Sequence, residues 1–524
     1  MKSPSLRQQL LLTAAVLGSL PAYAGTNVWF TPLTQSAPVV APNALEELAS
    51  PWVSPAGISQ KNVLSLREVE DQVLSPGQSV VRVPGQGTSA SMFDMLAYDA
   101  TGNYLFIPHE TPIGAGCTRV TLYDNKSEVI FAGDQQGAVG NWANDFGAFD
   151  PCRWTPNGTL FLAEEWAGKG RVLEILNPLA PVADIQTRVL ESIANVSHEG
   201  INFSTKFEDT IYYIDEFNSG SIYKFVMKNK GDYTVGQTFV LSVDAFISSG
   251  GVSSKDYNQQ AAGVVREGAA TWLPLTDAVG TPLPGITNPF RDGAPGAASD
   301  PTSFGGRPAA DDAGGTPFGR PEDVTVGKLA NGNEVLYVAV TSESKVISIE
   351  ILEQGPGKRL GNADRDWKGK GTPAAPSGKA IVRTFVSESA FPKNVGFAPT
   401  TGVLNSPDNL SMDALGNVYV IEDAPNGSNV GGDIWFIRDT DNDGVAESLD
   451  HFLSIRVNGS EATGMIFNPK VPTEFSVAVQ HPSSTNLVAV PKGLGDAIWM
   501  FNVSNVPNQD FVEKLNKADG FTNQ

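Results

Sequence analysis

The sequence predicts an all-β protein, a six-bladed β-propeller with a long insertion and an N-terminal extension. Helical periodicity is scarce along the 524 residues, which include 53 Gly and 36 Pro. A turn containing Gly or Asn recurs, and a short run of β-branched and aromatic residues and then an acidic or polar residue follow it. This unit recurs about six times, which is the repetition that a propeller needs.

The predicted strands follow these turns in chain order. The first strands of the units cover residues 104–107, 159–162, 210–214, 333–340, 418–421 and 474–479. Several units continue into a second strand, as at 220–226, 345–352 and 432–437. A β-sandwich has similar strands, but the regular acidic residue at the strand ends favours blades that bury their faces against neighbouring blades.

The chain divides into a signal peptide at 1–24, an N-terminal arm at 25–84, a propeller at 85–505 and a C-terminal tail at 506–524. Lys2 and Arg7 precede an apolar run at 10–20, and Ala22-Tyr23-Ala24 is a cleavage pattern. A retained N-terminal anchor is the alternative. Residues from about 231 to 319 interrupt the repeat and are read as an insertion or lid. We therefore expect a periplasmic or secreted protein without stable membrane insertion.

The charge balance excludes some classes of partner. The chain has 36 Lys and Arg against 57 Asp and Glu, a net charge of −21. Such a surface repels nucleic acid and anionic lipid. We expect a monomer that binds a small molecule and no nucleic acid.

Acidic residues stand at the ends of the predicted strands. Strands of neighbouring blades surround a central channel, so corresponding strand ends converge on one mouth. Gathered carboxylates raise each other's pKa unless cations compensate, and calcium is the expected hard cation in an exported protein. In the alternative, each acid caps a turn on its own blade. The candidate acids are Glu110, Glu164, Glu165, Glu199, Glu322, Asp408 and Glu461.

A second candidate calcium site is the loop Asp439-Thr440-Asp441-Asn442-Asp443-Gly444. Oxygen ligands at alternate positions before a Gly match the start of an EF-hand loop, and Asp450 occupies the twelfth position. No flanking helices are evident, so Asp439, Asp441 and Asp443 would form a structural calcium loop on a blade. An acidic surface turn is the alternative.

The sequence lacks the motifs of nucleophilic hydrolases and P-loop enzymes, since it has no G-x-S-x-G, no H-E-x-x-H and no P-loop. A metal cluster with an arginine fits better, because metals neutralise a phosphoryl group. Arg320, two positions before Glu322, would place a planar guanidinium beside the metals for bidentate phosphate contact. A salt bridge from Arg320 to Glu322 or Asp323 is the alternative.

The chain has two cysteines, Cys117 and Cys152, and four histidines. An oxidising compartment permits a disulfide between the two cysteines. Such a bridge would stabilise the fold by about 3–4 kcal/mol on the chain-entropy model. A zinc enzyme built on several histidines would need nearly all four of them.

Short motifs follow one another between about Leu96 and Pro482. They are Leu-Phe-Ile-Pro-His-Glu at 105–110, Thr-Pro-Asn-Gly-Thr at 155–159 leading to Glu-Glu at 164–165, Ser-His-Glu at 197–199, Arg-Pro-Glu-Asp at 320–323, Pro-Asp-Asn-Leu at 407–410, Glu-Ala-Thr-Gly at 461–464 and Gln-His-Pro at 480–482. In this order and spacing the motifs resemble the PhoX-type alkaline phosphatase family.

The resemblance implies a six-bladed propeller whose mouth holds Ca2+ and Fe3+ and which hydrolyses phosphate esters outside the cytoplasm. It implies Arg320 as the contact to the substrate phosphate. It also implies core metal ligands at Glu165, Glu199 and Glu322, and further calcium ligands at Asp408 and Glu461.

The resemblance gives Cys152 a second possible role. Family members carry a cysteine shortly before the Thr-Pro motif, and its thiolate bridges irons. Cys152 stands at this place, with a spacer two residues shorter than is typical. Cys152 is therefore either a metal ligand or half of a disulfide with Cys117, because oxidised sulfur cannot act as a thiolate.

The sequence as a whole predicts an exported, metal-dependent phosphoesterase. The N-terminus lacks the twin-arginine signal of many family members, so the metals would be acquired outside the cytoplasm. Two alternatives stay open: a calcium-dependent propeller hydrolase of another class, such as a lactonase or phosphotriesterase, and a non-catalytic calcium-binding propeller.

Overall fold

The computed structural model describes residues 28–73, 93–290, 305–352, 378–485, 487 and 489–518. Strands make up 40% and helices 10% of the described residues. The predicted predominance of β-strands is therefore confirmed. The predicted signal peptide at 1–24 lies outside the described residues. None of the described helices has the length and apolarity that a membrane span requires.

The described chain contains 26 strands and four α-helices. Most strands belong to six runs of four antiparallel neighbours, and we call the first strand of each run its leading strand. The N-terminal arm comprises α1 (Leu45–Ala49), β1 (Trp52–Val53), β2 (Ser59–Ser65) and α2 (Leu66–Val73). Run 1 comprises β3 (Ala97–Tyr98), β4 (Tyr104–Pro108), β5 (Gly116–Thr121) and β6 (Lys126–Ala132). Run 2 comprises β7 (Phe149–Trp154), β8 (Leu160–Gly170), β9 (Val172–Ile175) and β10 (Thr187–Val189).

The other runs follow in chain order. Run 3 comprises β11 (Val196–Phe203), β12 (Thr210–Asp215), β13 (Ile222–Met227) and β14 (Gly236–Val243), and β15 (Gly268–Pro274) and α3 (Gly306–Ala313) follow it. Run 4 comprises β16 (Pro321–Lys328), β17 (Glu334–Val340), β18 (Lys345–Ile351) and β19 (Lys379–Ser387). Run 5 comprises β20 (Pro407–Met412), β21 (Val418–Glu422), β22 (Asp433–Arg438) and β23 (Ser448–Ile455). Run 6 comprises β24 (Glu461–Phe467), β25 (Glu474–Gln480), β26 (Ala497–Asn502) and β2, and α4 (Gln509–Lys517) ends the fold.

Additional pairings connect the runs into four sheets. β15 joins β14 to β19 and β8 pairs with β11, so runs 2, 3 and 4 merge into a 13-stranded sheet. β1 extends run 5 to five strands, and β2 is the outer strand of run 6. The predicted insertion begins at about residue 231, but β14 occupies Gly236–Val243. The segment outside the runs therefore starts after Val243.

Apolar side chains fill the space between each run and the next. Separate clusters join runs 1 and 2, 2 and 3, 3 and 4, 4 and 5, and 5 and 6. A sixth cluster joins the last run to the first, because Leu105 and Ile107 of run 1 pack with Ala478 and Ile498 of run 6. Each run thus buries its two faces against its neighbours.

The tight turns between strands form where the Gly-Asn pattern predicted them. Asp413 accepts hydrogen bonds from the backbone N–H groups of Leu415 and Asn417, and Gly416 adopts φ of +87°. Only a residue without Cβ takes this conformation at no steric cost. The same carboxylate arrangement recurs at Asp99 before the first predicted strand.

Both ends of the described chain pack into the core between runs 5 and 6. The ring of Trp29 stacks on Phe511 of α4 with centroids 4.6 Å apart. Trp52 of β1 is 1% exposed and its ring lies edge-on to Phe501 at 5.9 Å. The N-terminal arm is therefore part of the folded core.

Replacement of Trp52 by Ala should lower the free energy of unfolding by about 3–5 kcal/mol, because it leaves a cavity in this core. Leu45→Ala is the control, because Leu45 is 75% exposed and its loss should change stability by less than about 0.5 kcal/mol. Urea unfolding followed by circular dichroism measures both. Equal stabilities for the two variants would contradict a packed arm.

Candidate metal centre

All six leading strands begin with the same irregularity, a β-bulge. In run 4, Pro321 pairs with Val340 and Val324 with Val338, so β16 carries one residue more than its partner strand. The same one-residue excess occurs in β7, β11, β20 and β24. In run 1 the bulge lies just before β3, where three residues lie between Phe93 and Ala97 but only two between their partners His109 and Phe106. A bulge re-aims the side chain of the extra residue.

Five of the six bulges place an acidic residue at the same position. This position directly follows the first paired residue of the bulge, as Glu322 follows Pro321. Its occupants in the six runs are Asp94, Asp150, Glu199, Glu322, Asp408 and Gly464. The sequence analysis predicted Glu199, Glu322 and Asp408 as ligands but missed Asp94 and Asp150. A signal exists for the missed pair, because each directly follows a Phe.

Carboxylates of neighbouring runs meet closely enough to share cations. Three groups have candidate ligand atoms within 4.8 Å of one another, and consecutive groups share Asp150 and Glu199. Together they form a continuous chain that we call the acidic cluster: Asp94, Glu110, Asp150, Glu165, Glu199, Glu322 and Asp408. The structure therefore brings together Glu110, Glu165, Glu199, Glu322 and Asp408, which the sequence predicted.

The electrostatics of the acidic cluster are unfavourable without cations. Burial raises the pKa of Glu165, Glu199 and Asp408 well above the usual range, and repulsion from neighbouring carboxylates raises each further. Burial also raises the pKa of Glu110 to about 7 and that of nearby Glu461 to about 8.

Three carboxylate oxygens in the cluster accept no hydrogen bond. Asp94 Oδ1, Asp150 Oδ1 and Glu322 Oε1 are buried and have no hydrogen-bond partner among the described residues. Buried polar atoms without partners are costly, and cations with oxygen ligands relieve that cost. The all-oxygen donor set therefore fits hard cations such as Ca2+.

Arg320 lies at the edge of the acidic cluster. Its Nε donates to Glu216 Oε1 at 2.8 Å, its Nη2 donates to the same oxygen, and Nε lies 3.3 Å from Glu322 Oε1. The predicted salt bridge to Glu322 thus forms, whereas Asp323 accepts backbone N–H groups instead. Arg320 has φ of +52°, a strained conformation that is common at functional sites. Its side chain is 40% exposed and so stays accessible to a ligand.

Two side chains next to the cluster tie a bulge to the bulge of the next run. Asp323 accepts a hydrogen bond from Leu410 N at 3.0 Å. Asn409 Oδ1 accepts one from Gly464 N at 2.8 Å. Both donors belong to the bulge of the following leading strand. These contacts fix the acids of neighbouring runs relative to each other.

Glu461 lies outside these groups. The sixth bulge position is Gly464, with φ of +43°, and a Cβ there would lie 2.3 Å from the carbonyl oxygen of Asp94. A carboxylate therefore cannot occupy this position. Glu461 precedes the bulge, its side chain is 33% exposed, and His481 Nε2 lies 4.0 Å from its carboxylate.

Cys152 and Glu164 also lie outside the candidate groups among the described residues. The bulge reverses side-chain alternation between Asp150 and Cys152, so Cys152 lies in the apolar cluster with Cys117. The two cysteines are free and buried, and burial raises the pKa of the Cys152 thiol. The choice between a disulfide and a metal ligand stays a prediction. Glu164 instead forms a buried ion pair with Arg171 at 2.7 Å.

The predicted calcium loop forms a separate acidic group. Ligand atoms of Asp439 and Asp441 lie within 4.8 Å of one another and of Glu447. Asp443 is not in this group, and its carboxylate accepts a hydrogen bond from Val445 N. Asp450, at the twelfth position, pairs with Arg438 at 2.7 Å. The pattern of three alternate aspartates thus matches the observed group only in part.

Comparisons with known proteins assign the chain to a family and a fold. The family model described as alkaline phosphatase PhoX matches residues 124–483. The Pseudomonas fluorescens PhoX structure in complex with vanadate, a transition state analogue, matches at a TM-score of 0.56 and 14% identity, covering 92% of this chain and 98% of that one. The two chains share a fold.

More distant structural matches include a gluconolactonase of Xanthomonas campestris, at a TM-score of 0.35 and 10% identity, covering 90% of this chain and 97% of that one. The calcium-binding protein regucalcin of Agrobacterium tumefaciens matches at a TM-score of 0.33 and 10% identity, covering 79% and 90%. No curated protein sequence matches the chain.

The stability of the chelator-treated protein should fall as pH rises from about 6 to about 9. The folded-state pKa values of Glu110 and Glu461, about 7 and about 8, exceed the usual value for Glu of about 4.3. The folded state therefore binds more protons, and stability is lost as pH rises through the folded pKa values. Added Ca2+ should raise Tm more at high pH, because cations and protons compete for the carboxylates.

Thermal unfolding at several pH values measures this effect. The pH slope should shrink in Glu110→Gln and stay unchanged in Glu513→Gln, since Glu513 is exposed in α4. A Tm that is independent of Ca2+ at every pH would contradict a cation site in the cluster.

Proposed function

Because the chain belongs to the alkaline phosphatase PhoX family, we propose that it is an exported, metal-dependent phosphatase that hydrolyses phosphate esters at the acidic cluster. One observation carries this proposal: the equivalent bulges bring Asp150, Glu199 and Glu322 together beside Arg320. Carboxylates that need cations and a guanidinium that can hold a phosphate form a phosphoryl-transfer site.

We propose that the six runs are the blades of a β-propeller. Each run packs on the next and the last packs on the first, which supports a closed ring. The arm at 25–84, the tail at 506–524 and the insertion would then lie around this ring. The cleavage pattern after Ala24 supports export to the periplasm or beyond.

We propose Ca2+, with Fe3+ as a second metal, as the cations of the acidic cluster. Bound cations would act as Lewis acids on the phosphoryl oxygens. The cluster supplies oxygen ligands from five bulges, and their lateral hydrogen bonds through Asp323 and Asn409 hold the ligands in place. The family resemblance supports Cys152 as a further ligand, and the loop at Asp439 is proposed as a structural calcium site.

Arg320 is proposed to orient the substrate phosphate. Two of its nitrogens contact Glu216, which fixes the guanidinium plane at the cluster edge. A planar guanidinium binds two phosphate oxygens, whereas a lysine binds as a point charge. The exposed part of Arg320 would receive the phosphate while the cluster neutralises the remaining charge.

Glu322→Gln should lower kcat/KM for 4-nitrophenyl phosphate by at least about 100-fold, the scale for loss of one electrostatic contact to a transition state. Chelation should abolish turnover, and added Ca2+, with or without iron, should restore it. Release of inorganic phosphate measures activity. Glu513→Gln is the matched control, because Glu513 is an exposed glutamate on α4.

Three outcomes would contradict this proposal. Full activity of Glu322→Gln would remove the cluster from the reaction. If the protein hydrolysed lactones or phosphotriesters but not phosphate monoesters, it would be a lactonase or a phosphotriesterase. Metal binding without any turnover would indicate a non-catalytic protein.

Arg320→Ala should raise KM for phosphate esters by about 10-fold or more, because a charge-assisted bidentate contact is lost. Arg320→Lys should give an intermediate KM, since the charge stays but the planar fork is lost. Steady-state kinetics together with Tm separates this effect from unfolding. Unchanged kinetics in Arg320→Ala would exclude Arg320 from substrate binding.

A further inference from the structure

An exposed aromatic residue directly follows the glutamate that binds Arg320. Glu216, which accepts the hydrogen bonds of Arg320, is followed by Phe217 in the connection from β12 to β13. The side chain of Phe217 is 41% exposed. The same connection contacts the segment that leads to Arg320, because Phe318 N donates to Gly220 O at 2.9 Å. Phe217 therefore stands at the edge of the acidic cluster.

A buried guanidinium supports the ring of Phe217 from below. The Cζ atom of Arg307 lies 3.9 Å from the ring centroid. Arg307 is 4% exposed and forms two hydrogen bonds to Asp215, at 2.6 and 2.8 Å. The ion pair fixes the guanidinium, and the cation–π contact fixes one face of the ring. The ring is thus held in position although much of it faces solvent.

A second aromatic ring, from the insertion, packs on the residue that precedes Arg320. The backbone N–H of Tyr257 donates to Asn218 O at 2.8 Å, which places Tyr257 next to the Phe217 connection. Its ring packs on Gly319, where an added Cβ would lie 2.8 Å from the ring. The guanidinium of Arg266 lies 5.4 Å from the ring centroid. Two aromatic residues, each with an arginine over its ring, therefore lie on segments that adjoin Arg320.

We propose that Phe217, with Tyr257 beside it, stacks on the leaving group and makes the enzyme prefer phosphate esters whose alcohol carries a flat ring, such as aryl esters and nucleotides. This inference rests on the proposed function. The phosphate would be held at Arg320 and the acidic cluster. The ester oxygen and its alcohol group would then point away from the acidic cluster, past its edge. An aromatic ring stacks on another flat ring in an offset or edge-on arrangement. This attraction needs no net charge, so it works on a strongly acidic protein surface.

The test compares two esters that carry a flat ring with one aliphatic ester in the full-length, metal-loaded protein. Phe217→Ala should lower kcat/KM for 4-nitrophenyl phosphate and adenosine 5′-monophosphate about tenfold, a typical scale for one lost stacking contact. The kcat/KM for glycerol 1-phosphate should stay unchanged. Phe217→Tyr should keep the wild-type preference, whereas Phe217→Leu should lose it because leucine is apolar but has no flat face. Release of inorganic phosphate is the readout for all substrates.

Leu179→Ala is the control, because Leu179 is similarly exposed, at 45%, and lies after β9. It should leave both substrates unaffected. Equal losses on the flat and the aliphatic ester in Phe217→Ala, no loss on either, or a wild-type preference in Phe217→Leu would each overturn the inference. If the wild-type protein hydrolyses none of these esters, the proposed function itself fails. If it hydrolyses all of them and Phe217→Ala does not discriminate, only the stacking role fails.

Discussion

Repulsion among gathered carboxylates is the constraint on which the structure of the site depends. Seven acidic side chains from five runs lie close together, and burial makes their charged forms costly. No single hydrogen bond offsets this cost, and Arg320 contacts only the edge of the cluster. The fold must therefore hold the acids in place by its backbone, while cations would supply the missing positive charge.

The β-bulges and the side chains beneath them provide this rigidity. Asp323 and Asn409 directly follow cluster acids, yet their oxygens accept backbone N–H groups of the next run. Arg153 donates to Ile201 O at 2.9 Å in the same layer. Adjacent residues thus have different roles, because the bulge directs one side chain into the cluster and the other toward the neighbouring strand.

The sequence predicted much of the site because strand-end acids follow recognisable turns and strands. Glu165, Glu199, Glu322 and Asp408 meet in the cluster as expected. Asp150 was missed, although it is the second residue of β7 as Glu322 is of β16 and Asp408 is of β20. The extra residue of the bulge places Cys152, two residues later, in an apolar cluster, and its role as a metal ligand or half of a disulfide stays a prediction. A bulge changes locally which face of the strand each side chain lies on. This change leaves no signal in the periodicity of the sequence.

The amino-acid sequence by itself determined the all-β class, the acidic character and the positions of the turns, because these depend on local residue types and periodicity. The tertiary structure alone decided which acids share a site, why Gly464 interrupts the sixth position, and which aromatic residues lie on the segments that adjoin Arg320. These features depend on one-residue register shifts and on contacts between distant segments. Physical distances of a few ångströms between such segments cannot be read from their order along the chain.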